Sequence, residues 1–87
     1  MSDQAQTASN FDALIGGFAA SGMMALGAIP DPDTQQTHVN LPVAKHSIDM
    51  LSMLREKTRG NLSESESRGL DSIIARLELR FVELARR

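Results

Sequence analysis

The chain has 87 residues, a formal net charge of −2 at pH 7, no Cys and only three aromatic residues, all of them Phe. A chain of this length forms one domain with a small core, and without Cys it has no disulfide framework, thiolate metal site or Cys nucleophile. The acidic balance and the lack of Tyr and Trp argue against nucleic-acid binding, which needs cationic surface and commonly uses aromatic stacking.

Residues 1–9 are small and polar and predict a disordered N-terminal tail. Their only charged residue is Asp3, whereas a secretory signal begins with basic residues, so we expect no export by that route. The lack of Cys makes a reducing cytoplasm the expected location. The remaining residues, 10–87, are predicted to form a single helical domain.

The first predicted helix, over about residues 10–27, is apolar on all sides. One stripe at helical spacing predicts its core-facing side: Phe11, Leu14, Ile15, Phe18, Gly22, Ala25, Leu26 and Ile29. The opposite side is also uncharged and carries Ala13, Gly16, Ala20, Met23, Met24 and Gly27. That side could be covered in three ways: by the other helices of the chain, by a second copy of the chain in a homo-oligomer, or by lipid.

Self-association through this uncharged side is the favoured interpretation. Gly16 and Ala20 have the spacing of small-residue pairs that allow helices to approach closely. The uncharged segment 13–29 would span only about 26 Å, less than the roughly 30 Å of a bilayer core. The helix also lacks the basic residues that are typical of interfacial anchors, so membrane contact is the less favoured alternative.

A loop over residues 30–40 precedes the second predicted helix, at about 41–59. Asp31 and Asp33 are interpreted as turn formers, because the further ligands of a calcium loop do not follow. Asn40 predicts the helix N-cap, and the spacing of His38 and His46 fits no usual metal site. The predicted inner face of this helix consists of Val43, Ala44, Ser47, Ile48, Met50, Leu51, Leu54 and Thr58.

The junction with the third helix contains one stop signal and one start signal. Gly60 can adopt the left-handed conformation that closes a helix. Ser63 and Glu66 have the spacing of a capping box, which predicts a third helix over about 63–86. Only Asn61 and Leu62 separate the two signals, so an antiparallel hairpin of the second and third helices is expected.

The third helix has two apolar lines. The broader one predicts its core-facing stripe: Leu70, Ile73, Ile74, Leu77, Phe81, Leu84 and Ala85. A narrower line of Ala75, Leu79 and Val82 lies away from that stripe, on an otherwise polar face. Apolar residues in that position predict a second contact surface and favour self-association.

Several short motifs in a fixed order make the chain similar to a known family. They are LGAIPDPDT at residues 26–34, NLPVAK at 40–45, IDMLSML at 48–54 and EKTRGNL at 56–62. The sequence resembles the bacterial family called domain of unknown function 1844 over about residues 11–83. The resemblance implies a small all-helical bacterial protein, and it implies no activity.

These observations predict an all-α, three-helix domain with an apolar first helix and a hairpin of the second and third. No catalytic, cofactor-binding or metal-binding constellation is recognised, so we expect a non-catalytic module. It is expected to form a homo-oligomer or to bind a larger protein, with peripheral membrane association as the alternative. The predicted interaction residues are Gly16, Ala20, Met23, Met24, Gly27, Leu79 and Val82.

Overall fold

The structure is a computed structural model that describes the backbone of residues 3–87 and the side chains of residues 10–87. It contains three helices, α1 (Asp3–Ala25), α2 (Leu41–Lys57) and α3 (Glu64–Ala85), which pack against one another. The predicted all-α, three-helix fold is therefore confirmed. Within the described range, the β-type pairing is limited to an isolated antiparallel bridge between Leu26 and Val39.

The start of α1 differs from the predicted one. The helix begins at Asp3, seven residues before the predicted start at residue 10. The predicted disordered tail over residues 1–9 stays a prediction, because Met1, Ser2 and the side chains of residues 3–9 lie outside the described part of the chain.

The signals at the ends of α2 and α3 lie where the sequence predicts them. The Asn40 side chain accepts a hydrogen bond from the Val43 N–H at 3.2 Å, which caps α2. Gly60 has a φ of 85° after the end of α2. Ser63 Oγ accepts from the Glu66 N–H at 3.0 Å, and Glu66 Oε1 accepts from the Ser63 N–H at 2.8 Å, so both halves of the capping box form.

The C-terminal end of α1 is closed by the chain folding back. The helix ends at Ala25, and Gly27 follows with a φ of 71°. The Ala28 N–H donates to the Met23 carbonyl at 2.9 Å, which satisfies a carbonyl of the last turn. The Asn40 N–H donates to the Ala25 carbonyl at 2.7 Å. This hydrogen bond holds the end of the loop against the C-terminal end of α1.

The core lies where the three helices meet and is built mainly from aliphatic side chains. Its buried members are Ile15, Ala25, Leu26, Ala44, Ile48, Leu51, Leu70, Ile74 and Leu77. Gly22 of α1 is buried close to both other helices. A Cβ there would lie 3.2 Å from Leu77 Cδ2 on α3 and 3.4 Å from Ser47 Cβ on α2. Ser47 is itself buried, so a small residue faces Gly22 from α2.

Four residues predicted to face the core are exposed. Leu14, Val43 and Ala85 lie at the margins of their stripes, and the neighbouring helices cover only the centre of each stripe. Ile29 was predicted from helical spacing, but α1 ends at Ala25, so that spacing no longer sets the direction of its side chain. These are corrections to the predicted core.

The contacts between α2 and α3 join opposite ends of the two helices. Arg55, near the end of α2, forms an ion pair of 3.4 Å with Asp71, near the start of α3. Ile48, in the first half of α2, lines a groove together with Phe81, near the end of α3. Helices that meet in this way run antiparallel, and the outer side of α3 faces away from the core.

Candidate interaction surface

The most exposed large apolar side chains of α3 lie on the side opposite its buried stripe. Leu70, Ile74 and Leu77 are buried, whereas Leu79 is 64% exposed and Val82 is 46% exposed. Ala75 lies one turn before Leu79 and is also exposed. We call Ala75, Leu79 and Val82 the outer line of α3. The sequence predicted this line, and the structure places it in solvent.

Charged residues flank the outer line on both sides. Arg76 and Glu83 are exposed on one flank, and Glu78 is exposed on the other. The ion pairs formed among residues 10–87 are Lys45–Asp49 at 2.9 Å, Arg55–Asp71 at 3.4 Å and Arg59–Glu56 at 2.6 Å. Arg76, Glu78 and Glu83 take part in none of these pairs, so their charges are available to a partner.

The predicted interaction residues of α1 do not form one continuous exposed surface. Gly16 and Ala20 are exposed, but Met23 is half-buried and packs against the core. Gly27 lies beyond the end of the helix and is close to Val39, whose Cγ2 would be 3.3 Å from a Cβ at Gly27. Met24 is half-buried. The structure therefore separates these residues into different environments.

Gly16 lies in the wall of an open cleft between the middle of α1 and the start of α3. The cleft has a volume of about 470 Å³. Phe11, Ile15, Leu70 and Ile73 provide apolar lining. Gly69 lines the opposite wall, and a Cβ at either Gly16 or Gly69 would have no atom within 4 Å. The missing side chains of both glycines thus widen the cleft.

Sequence reasoning missed this cleft. Gly16 and Gly69 are the signal that could have indicated it, because two glycines on facing helices leave a gap when the helices are not in close contact. The pairing of these two glycines depends on how α1 lies across α3, and helical periodicity alone does not determine that arrangement.

The residues considered as metal ligands or catalytic groups are dispersed. His38 and His46 are exposed, and Asp31 accepts a hydrogen bond from the Asp33 N–H at 2.8 Å, as in a turn. Within the part of the chain that the structure describes, no three His, Asp or Glu side chains converge as a metal site would require. Lys45 and Asp49 instead form an ion pair along α2, at the i,i+4 spacing that is typical of helix surfaces.

Comparison with known protein families decides the relationship suggested by the sequence motifs. The model of a family described as a domain of unknown function (DUF1844) matches residues 8–83. The chain belongs to this family. The DUF1844 match includes α2, nearly all of α3 and the part of α1 that contributes to the core. No curated protein and no solved structure matches the chain.

A helix must be both long and apolar to cross a bilayer. In the residues that the structure describes, none of the helices has a segment apolar and long enough to cross a bilayer.

Proposed function

We propose that this member of the DUF1844 family is a non-catalytic interaction module that self-associates through the outer line of α3. The observation that carries the proposal is the exposure of Leu79 and Val82 on the side of α3 that faces away from its own core. This helix has one buried stripe and a second, exposed apolar line. Covering the second line with protein removes apolar surface from water, which lowers the free energy.

The charged flanks of this surface support a protein partner. Arg76 and Glu83 have opposite charges and leave the centre of the outer line apolar. An apolar centre with a charged border is the usual arrangement of a protein–protein interface. A lipid surface would instead favour a border rich in Lys and Arg.

The non-catalytic part of the proposal follows from the chemistry of the candidate groups. Catalysis requires an acid, base or nucleophile positioned in a site that restricts water. His38 and His46 are exposed, and the Asp31 carboxylate is engaged in a turn. We propose a bacterial cytoplasmic setting for the module, since its fold requires no disulfide.

The test is the molar mass of the full chain in solution, measured by light scattering over a dilution series. We expect a dimer that dissociates on dilution. Val82→Glu should shift the equilibrium towards the monomer, because it places a carboxylate in the apolar centre of the contact.

Val43→Glu is the matched control for this substitution. Val43 is 43% exposed and Val82 is 46% exposed, so the two variants introduce the same group at similar burial but on different helices. The control should retain the mass of the unaltered chain, and circular dichroism should show equal helix content in both variants. A chain that stays monomeric at every concentration would rule out the proposal.

A further inference from the structure

The spacing of residues along the outer side of α3 is that of a short coiled-coil seam. The steps are three, four, three and four residues along the series Ser72, Ala75, Leu79, Val82 and Arg86, of which Arg86 is the C-cap residue of α3. Alternating steps of three and four residues are the heptad pattern by which one helix packs along another. These seam residues are exposed, so the pattern is free to pack against a second helix.

A parallel pairing of two copies of α3 would bring like charges together. In a parallel seam each core position faces its own equivalent, so Arg86 would face the partner's Arg86. At the edge of a parallel seam, a residue lies beside the partner's residue five positions further along the chain. Glu78 would therefore lie beside the partner's Glu83, and the symmetry of the dimer would form this contact twice. Like charges in these positions are unfavourable. The same spacing places Asp71 beside the partner's Arg76, but Asp71 already forms an ion pair of 3.4 Å with Arg55.

An antiparallel pairing removes these repulsions. In the register that packs Leu79 against the partner's Val82, Ala75 faces the partner's Arg86. The small Ala75 leaves room for the aliphatic part of that arginine, whose guanidinium can reach water. Arg76 then lies beside the partner's Glu83, and the two-fold symmetry forms this pair of opposite charges twice.

The surroundings of the outer line leave space for a second helix. The α1 and α2 helices pack on the buried stripe of α3, on the other side of that helix. Beside Val82, between α2 and α3, lies an open groove of about 180 Å³. A second helix packed on Val82 would therefore lie along the margin of this groove, whose other side is lined by Lys45 and Asp49 of α2.

The geometry points to an antiparallel homodimer in which two copies of α3 pack along the outer line, with Leu79 on the partner's Val82 and Arg76 paired with the partner's Glu83. This inference rests on the proposed self-association and adds its orientation, register and charge pairs. The seam from Ala75 to Arg86 is only about 16 Å long at 1.5 Å per residue. Such a small contact forms a weak, reversible dimer.

A charge-exchange experiment on the full chain tests the inference. Arg76→Glu and Glu83→Arg, made singly, each place like charges together at both symmetry-related pairs. We expect each to raise the dissociation constant by roughly tenfold at low salt. The double variant restores opposite charges and should return the dissociation constant to within about threefold of the original value. Lys57→Glu, an exposed charge reversal on α2, is the control.

Glu83→Arg also distinguishes the two orientations. In a parallel dimer it would replace the repulsion between Glu78 and the partner's Glu83 with an attraction, so association would become stronger. Strengthening by Glu83→Arg, or failure of the double variant to recover, would overturn the antiparallel register while leaving self-association intact. A chain that is monomeric throughout, as measured by sedimentation up to its solubility limit, would overturn both.

Disulfide formation gives an independent measurement, because the chain has no Cys of its own. In the proposed register, the two Ser72 positions lie about 25 Å apart along the helix axes, at 1.5 Å per residue. Ser72→Cys should therefore form no disulfide-linked dimer, whereas a mixture of Ala75→Cys and Arg86→Cys chains should form the mixed disulfide. Efficient cross-linking of Ser72→Cys to itself would contradict the inference.

Discussion

Glycine has opposite roles at two positions of α1. At Gly22 the absence of a side chain allows α1 to approach α2 and α3, and a Cβ would lie 3.2 Å from Leu77 Cδ2. At Gly17 a Cβ would have no neighbouring atom within 4 Å, and the residue is exposed. The sequence predicted Gly22 on the inner stripe of the helix. Its close approach to Ser47 could not be predicted, because helical periodicity does not reveal which residue of α2 faces it.

A pair of matched variants tests this difference. Gly17→Ala should stabilise the fold by about 0.5–1 kcal/mol, since alanine favours the helix and meets no obstruction. Gly22→Ala gains the same propensity but crowds the buried Leu77, and overpacking in a core costs about 1–3 kcal/mol. Urea unfolding should therefore show Gly22→Ala to be the less stable variant. Equal stabilisation by the two substitutions would mean that Leu77 moves aside freely.

At the scale of the helices, boundaries set by local chemistry could be predicted well. The observed limits of α2 and α3 differ from the predicted ones by two residues or fewer. The Asn40 cap, the left-handed Gly60 and the Ser63–Glu66 capping box are determined by residues within one turn of each other. The end of α1 was less predictable, because the loop returns to it from Asn40, fifteen residues along the chain.

The capping box makes a measurable contribution to the stability of α3. Ser63→Ala removes the acceptor of the Glu66 N–H and should destabilise the fold by about 1 kcal/mol, within a range of about 0.5–2 kcal/mol. Ser67→Ala is the control, because it removes the same hydroxyl at an exposed position inside the helix, where alanine is favoured. Thermal and urea unfolding should show a loss for the first variant and none for the second.

At the scale of the whole molecule, the shape explains why apolar surface remains uncovered. The radius of gyration is 14.0 Å, compared with roughly 12 Å for a compact domain of this length. Both α1 and α2 pack on the buried stripe of α3, so no third layer of helices covers the outer line on its opposite side within the described residues. The sequence revealed the outer line because it lies on one helix. It did not reveal the cleft between α1 and α3, because the cleft depends on how two distant segments pack.

Self-association should couple the stability of the whole molecule to its concentration. A dimer that forms only from folded chains stabilises the fold by mass action. Above the dissociation constant, Tm should rise by about 3–5 °C for each tenfold increase in concentration, given the unfolding enthalpy of a domain this size. Val82→Glu should have a Tm that does not depend on concentration, whereas Val43→Glu should keep the slope of the unaltered chain even if its Tm differs. If the Tm of the unaltered chain does not change with concentration, self-association is contradicted. The outer line would then be exposed to water in a stable monomer.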